Sequence, residues 1–454
     1  MNLSLQDPFA VAKEFPESLT QTLSAGGHSV VIQFNSRGDY LASGLTDGSI
    51  IIYDISSNAG VIAHLKKDRH SRPVTSISWS SCGRYILSTS QDWTCKLWDL
   101  SKVNSERDDF AASSAVIRNV KFDGPIWSAV LHPRNHFIFV ASLFEDHPVH
   151  VDAEDEHNVV ITRLQTQPRE IIQGEDNSES ATPEPESKKK KVEKHVTLAT
   201  TFTPNLGLYI LTGTSKGWLN IISSKTLETV HSIKFTNSNI KNLVISPNGR
   251  KLAINSSDRI IRQIILPDFL NRRNDEDLNG EEKVEEEWDE FEVEHKYQDL
   301  INRLQWNSVV FNHNAEFLVA STFGQSSQDL YVWETSMGSL VKILEGSNEE
   351  LIDVKWNYSK CMIGSTGLDS GYVYLWSIQF PQKWSALAPD FVEIEENIEY
   401  DEKEDEFDII DDQVLVQKRL EEEEDLVVDI LTMEKYDARG FDIEESFIIP
   451  VKYD

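Results

Sequence analysis

Three side chains able to do acid–base or nucleophilic chemistry stand near one another in the chain: His70, Ser88 (or Ser90) and Asp92, with Trp98 shortly after. A histidine beside a hydroxyl and a carboxylate is the combination that activates a serine nucleophile, so a hydrolase is one reading. The competing reading is structural, because the same groups buried together form a hydrogen-bonded network that holds strands. The surrounding residues decide between them.

Val74 to Asp99 reads VTSISWSSCGRYILSTSQDWTCKLWD. Val74 to Trp79, Tyr85 to Thr89 and Cys95 to Trp98 have strand length, and Ser81-Cys82-Gly83-Arg84 and Gln91-Asp92-Trp93 are turns. A lone meander of this kind exposes two faces and an edge, so it needs neighbours. The chain supplies them. Val31 to Asp54 repeats the pattern, with Phe34 for Trp79, Gly38 and Asp47-Gly48 in the turns, and Tyr53-Asp54 for Trp98-Asp99. Asp54 and Asp99 are forty-five residues apart, the period of a four-stranded propeller blade. Weaker copies follow at Ile126 to Val151, Thr197 to Ile222, Ile240 to Ile264, Val309 to Trp333 and Ile352 to Trp376. Seven copies predict a closed ring, and Leu19 to Leu23 alternates as the strand that would complete its last blade.

The unit resembles the WD-repeat family. In that family a His before the first strand, a Ser or Thr on the second, an Asp in the second turn and the closing Trp form a buried network. The resemblance gives His70, Ser88, Asp92 and Trp98 that structural role. Blade one has His28 before its first strand and Asp47 six residues before Tyr53, the spacing of Asp92 and Trp98, whereas blade four has Lys216 at the Asp position and blade seven has Ser370 there, with Asp369 one residue early. Recurrence at the repeat period favours the structural reading over a triad. No phosphate-cradling glycine loop, metal-ligand histidine spacing or nucleophile motif accompanies it. The sequence therefore points to a non-enzyme without cofactor, metal or small-molecule substrate.

The net charge of −32 is concentrated in two segments. Asp390 to Asp454 carries 25 acids against 6 bases, and Pro267 to Leu300 carries 14 against 4. The remainder is close to neutral, which argues against binding bare nucleic acid over the whole surface. Cys82, Cys95 and Cys361 lack metal or disulfide spacing and read as free thiols of an intracellular protein. No apolar run reaches membrane-spanning length. The expected organisation is an N-terminal segment (1–25), an all-β seven-bladed propeller (26–380) and an acidic, largely extended tail (381–454). Flexible insertions are expected at about 168–194 and 268–297. The first holds Lys188 to Lys191, readable as a nuclear import signal or as a solvated loop. The second holds Trp288 and Phe291, costly to leave in water and so candidate docking groups.

In the tail, Phe391, Ile394, Ile398, Tyr400, Phe407, Ile409 and Ile410 are spaced among carboxylates. A solubilising tail has no need of them. The pattern suggests a segment that orders on a partner with basic rims and apolar pockets. The run APDFVEIEENIEYDEKEDEFDI, with MNLSLQDPF, QDLINRLQW, LYVWETSMGSLVKILEG and KWSALAPDF, is similar to the retinoblastoma-binding-protein-five class. That class is the propeller subunit of COMPASS-type methyltransferases acting on lysine 4 of histone three. The resemblance implies an activation segment at about 387–413, in which Asn397, Ile398, Glu399, Tyr400 and Glu404 lie against a catalytic SET domain. Glu406, Phe407, Asp408, Ile409, Asp411 and Asp412 would engage a SPRY-domain subunit. Val428, Asp429 and Ile430, within about 421–431, would dock on a second WD40 propeller. It also implies a nuclear protein that meets the nucleosome through the complex. Two alternatives stand beside it, a ubiquitin-ligase substrate adaptor and a propeller that reads a histone tail. The first typically carries Arg two residues after a W-D, where this chain has Trp98-Asp99-Leu100-Ser101.

Overall fold

The computed structural model describes residues 15–24, 27–103, 115–144, 146–156, 158–165, 196–271, 291–299, 301–324, 329–378, 416 and 447–449. They form twenty-eight strands in seven four-stranded antiparallel sheets. The first strand, β1 (Ser18–Leu23), belongs to the last sheet. Blade one is β2 (Ser29–Phe34), β3 (Tyr40–Leu45), β4 (Ile50–Asp54) and β5 (Gly60–Leu65). Blade two is β6 (Val74–Trp79), β7 (Tyr85–Ser90), β8 (Thr94–Asp99) and β9 (Val116–Lys121). Blade three is β10 (Ile126–Leu131), β11 (Ile138–Leu143), β12 (Val149–Asp152) and β13 (Val160–Arg163). Blade four is β14 (Thr197–Phe202), β15 (Tyr209–Thr214), β16 (Trp218–Ser223) and β17 (Thr229–Lys234). Blade five is β18 (Ile240–Ile245), β19 (Lys251–Ser256), β20 (Ile261–Ile265) and β21 (Val293–Tyr297). Blade six is β22 (Gln305–Phe311), β23 (Phe317–Phe323), β24 (Leu330–Glu334) and β25 (Leu340–Leu344). Blade seven is β26 (Leu351–Trp356), β27 (Met362–Gly367), β28 (Val373–Ser377) and β1.

The first strand of each blade touches the first strand of the next, and β26 returns to β2, so the inner strands close a ring. The second and third strands are buried on both faces because each blade is sandwiched between two others. All six residues of β3 are buried, as are five of six in β7 and in β8. The outermost strands meet solvent, as the exposure of Gly60, Val61, Val160 and Ile161 shows. The first turn of each blade and its third-to-fourth connection lie on one face of the ring. The second turn and the link to the next blade lie on the other.

Strand β1 pairs with β28, matching Leu19 with Trp376 and Leu23 with Val373. Leu23 is buried against Val373, Leu375 and Tyr53, so the closing strand contributes core as well as hydrogen bonds. Two expected boundaries change. The acidic insertion does not extend to 297, because Val293–Tyr297 is the outer strand of blade five. Phe291 packs with Ile264, Leu266 and Leu270 in the core and is not a docking group, since its ring is worth more buried than displayed. Trp288 lies outside the described residues. The second change concerns the end of the tail, described below. Cys82, Cys95 and Cys361 are free thiols. Among the described residues no helix is long and apolar enough to cross a membrane.

Truncating the seam tests the closure. Leu23→Ala should lower the unfolding free energy by about 2 kcal/mol in urea titration and expose the β28 edge, giving larger species on size exclusion. A variant as stable and as monodisperse as the parent would show that the ring does not depend on this strand.

Candidate functional site

Blade two brings His70, Ser88, Asp92 and Trp98 together. His70 precedes β6, Ser88 is on β7, Asp92 is in the turn to β8, and Trp98 is on β8. Ile86 pairs with Trp98 and Ser88 with Lys96, so strand alternation places Ser88 and Trp98 as diagonal neighbours on one face. His70 and Ser88 are fully buried. Imidazole Nδ1 donates to Asp92 Oδ2 at 3.0 Å, and Nε2 lies 2.8 Å from Ser88 Oγ. Trp98 Nε1 donates to the same Oγ at 2.8 Å. An indole can only donate, so the serine proton is free to turn toward His70 Nε2, and a neutral Nδ1–H imidazole satisfies every partner. Asp92 also accepts from Thr94 N (3.0 Å), Thr94 Oγ1 (2.6 Å) and Ser71 N (3.0 Å). Burial pushes its carboxyl up, but the hydrogen bonds from His70, Thr94 and Ser71 outweigh burial and hold it well below the usual range.

The connectivity is that of a serine-hydrolase triad. The environment is not, because Ser88 Oγ carries an indole N–H on one side and no solvent on any other. No substrate carbonyl can approach it. The set ties together a loop, two strands and a turn. Ser90, the alternative hydroxyl, instead donates to Arg72 O at 3.0 Å.

Other blades do the same work with other residues. Blade one does not assemble His28 with Asp47. His28 Nε2 reaches Leu368 O of blade seven at 2.9 Å, and its ring lies against Gly371. Asp47 instead accepts from Ser49 N (2.9 Å) and from Arg69 Nη1 (2.7 Å). In blade seven the carboxylate comes from the loop before β26. Glu349 accepts from Asp369 N (2.7 Å), Ser370 N (2.8 Å), Ser370 Oγ and Tyr374 Oη (2.5 Å). In blade five Asp258 joins Ser256 and buried Arg262, whose guanidinium meets it at 2.5 Å. Glu349 and Arg262 were missed from sequence because each departs from the residue type or position that the repeat specifies, whereas Asp258 stands at the repeat position, six residues before Ile264 as Asp92 is before Trp98, and was legible but not read.

The tail residues proposed for partners are Asn397, Ile398, Glu399, Tyr400, Glu404, Glu406, Phe407, Asp408, Ile409, Asp411, Asp412, Val428, Asp429 and Ile430. All lie outside the described residues. So does Lys188 to Lys191. Residues 447–449 near the end of the tail are described, and they belong to the same compact unit as the propeller. Ile449 is 2% exposed, in the cluster with Tyr40, Trp98 and Leu100. Its N–H donates to Tyr40 Oη at 3.3 Å, and Phe447 N donates to Cys82 O at 3.2 Å. Residues 447–449 of the expected partner-binding tail therefore pack on the propeller, with Ile449 buried between blades one and two. The sequence signal was the run Ser446-Phe447-Ile448-Ile449-Pro450, apolar after a long acidic stretch.

The network makes stability depend on pH. A carboxyl held below its unfolded value of about 3.9 contributes stability that is full above that pH and lost as pH falls toward the folded value. Asp92→Ala should cost about 3 kcal/mol at pH 7 by denaturant titration and flatten part of the acid limb below about pH 4. An unchanged acid limb would mean that Asp92 carries none of it. Ile449→Ala should cost about 2 kcal/mol, and an unaltered midpoint would show the C-terminus to be undocked in solution.

The WD domain, G-beta repeat, matches residues 17–54 and 63–99. The COMPASS component SWD1 of Saccharomyces cerevisiae is 42% identical over 461 residues, covering 100% of this chain and 98% of that protein. The Set1 complex component swd1 of Schizosaccharomyces pombe is 40% identical, covering 99% and 98%. Among solved structures, the propeller domain of Myceliophteria thermophila Cps50 (Swd1) superposes with a TM-score of 0.65 at 36% identity, covering 79% of this chain and 99% of that one. With its closed seven-bladed ring and a likeness that runs from end to end, the chain belongs to the family of Swd1 and retinoblastoma-binding protein 5.

Proposed function

We propose that this chain is a non-catalytic scaffold and activating subunit of a COMPASS-type complex that methylates lysine 4 of histone three in the nucleus. The observation that carries the reading is the extent of the likeness to a protein named as a COMPASS component, which spans the acidic tail as well as the blades. A shared propeller alone would support only the fold. The sealed His70–Ser88–Asp92 set supports a subunit without chemistry of its own.

In this reading the propeller is the mount and the tail does the activating. Residues 397–404 hold the mobile lobe of a SET domain, residues 406–412 engage a SPRY-domain subunit, and Val428-Asp429-Ile430 docks on a second WD40 propeller. Carboxylates meet Arg and Lys through charge-assisted bonds, and Tyr400, Phe407 and the isoleucines supply apolar anchors. A segment that binds only the closed form of its partner raises the population of that form, and about 3 kcal/mol of differential affinity shifts it roughly a hundredfold. The ubiquitin-ligase reading is weaker. After Trp98-Asp99 the position expected to hold Arg is Ser101, whose N–H and hydroxyl both go to Asp99 Oδ1, at 3.0 and 2.7 Å.

Tyr400→Ala and Phe407→Ala should each reduce methyltransferase activity of the reconstituted complex by about tenfold or more, with the propeller's melting temperature unchanged. Deleting residues 387–431 while retaining Phe447–Ile449 should remove the SET-containing partner from co-purified material. Full activity in both point variants, or retention of every partner by the deletion, would sink the assignment.

A further inference from the structure

In blades one, two, four, five and seven the second turn places one residue at positive φ, which is Gly48 (φ 82°), Gly217 (φ 79°) and Gly371 (φ 67°) in blades one, four and seven and Arg259 (φ 71°) in blade five. Blade two has Trp93 there, at φ 68°. The turn itself is the same, since Trp93 O accepts from Phe122 N at 2.9 Å as Gly48 O accepts from His70 N at 3.0 Å and Gly217 O from Phe235 N at 3.1 Å. A bulky side chain in the left-handed region is strained where glycine is not. Burial does not repay that strain, for Trp93 is 46% exposed.

A second tryptophan points to the same place from another irregularity. The first strands of blades one to five carry a bulge at their second residue, which re-aims one side chain. Thr75 occupies it in blade two and Trp127 in blade three, where the indole is 48% exposed. Phe144, also 48% exposed, stands with its ring centroid 6.3 Å from that of Trp127. Trp93, Trp127 and Phe144 line one cavity of about 570 Å³ between the second turns of blades two and three. Asp92 and Arg72 are the charged residues on its wall. The carboxylate of Asp92 is consumed by His70, Ser71 and Thr94, whereas Arg72 is exposed.

We propose that this cavity is a docking site for an extended acidic peptide of a partner protein, which sets a large apolar side chain among Trp93, Trp127 and Phe144 and a neighbouring carboxylate on Arg72. Aromatic walls with one open cation fit an apolar group beside an anion. A cation over the rings is the competing occupant, and Arg72 on the rim repels it. The chain's own acidic tail is the other source of such a peptide. The described residues that flank it, Ile378 after β28 and Phe447 at Cys82, lie by the first turns on the opposite face, so the tail would have to cross the rim to reach the site, which favours another protein as the source.

The test uses the full-length protein and a fluorescein-labelled peptide of alternating Glu and Phe between Gly-Ser flanks, read by anisotropy. Saturable binding is expected, weakened about tenfold or more by Trp127→Ala, by Arg72→Glu and by replacing the peptide's Glu with Lys. Trp93→Gly separates fold from function, because glycine suits the turn: it should weaken binding as much while leaving the melting temperature unchanged or higher. A lowered melting temperature would make the indole structural and overturn the site. So would equal binding of the Lys peptide, or equal binding by the Trp127 and Arg72 variants. Deleting residues 387–431 should leave the affinity unchanged, and an increase of about tenfold would make the tail itself the occupant and overturn the assignment to a partner.

Discussion

Everything in the molecule depends on one strand pairing made across the length of the chain, β1 on β28. A four-stranded blade buries its faces only against two neighbours, so no blade is stable alone and an open arc would leave two of them half uncovered. The chain solves this by giving its first strand to its last sheet. The bond is also a packing seam, because Leu23 enters the same cluster as Ile32, Phe34 and Tyr53 of blade one. Closure therefore fixes the two blades that flank it, and through them the position from which the tail leaves.

Within that ring, each blade must also hold its turn and its incoming loop. Burying a carboxylate is costly unless its oxygens are satisfied, and once satisfied it fixes every donor around it. Blade two meets the requirement with Asp92 from the turn and His70 from the loop. Blade seven meets it the other way round, with Glu349 reaching from the loop to the backbone of Asp369 and Ser370 in the turn. The same constraint accepts either side as the source of charge. This explains why a repeat can lose its signature residues without losing its shape.

What the sequence disclosed follows from where water is. Second and third strands such as β3 and β7 are buried on both faces, so their apolar runs are legible, and all seven copies rest on them. Outer strands such as β13, with three of four residues exposed, have no such pattern and were not read as strands. For the same reason β21 was absorbed into an acidic insertion, although buried Phe291 and Tyr297 bracket it. The blade-two network was legible because its four residues stand at the repeat spacing. Trp93 and Trp127 were not, since their meaning lies in a positive φ and a bulge, which spacing does not encode. The docking of Ile449 depends on a slot formed by residues some four hundred positions earlier, a distance across which no periodicity reaches.

That slot bears on how a tail could activate a partner. Ser377 ends the third strand of its blade and Cys82 sits in a first turn, so the described residues on either side of the tail, Ile378 and Phe447, lie on the same face of the ring. A segment fixed at one end searches a hemisphere, and fixing the second end removes much of that freedom before any partner arrives. The cost of closing such a loop grows only logarithmically with its length, and at about 4 kcal/mol it is comparable with what the burial of Ile449 and the backbone bonds of Phe447 and Ile449 together supply. The ordering entropy that a partner must otherwise supply is correspondingly reduced, which raises the effective concentration of every motif along the loop. On this argument Phe447–Ile449 strengthens partner binding without touching a partner.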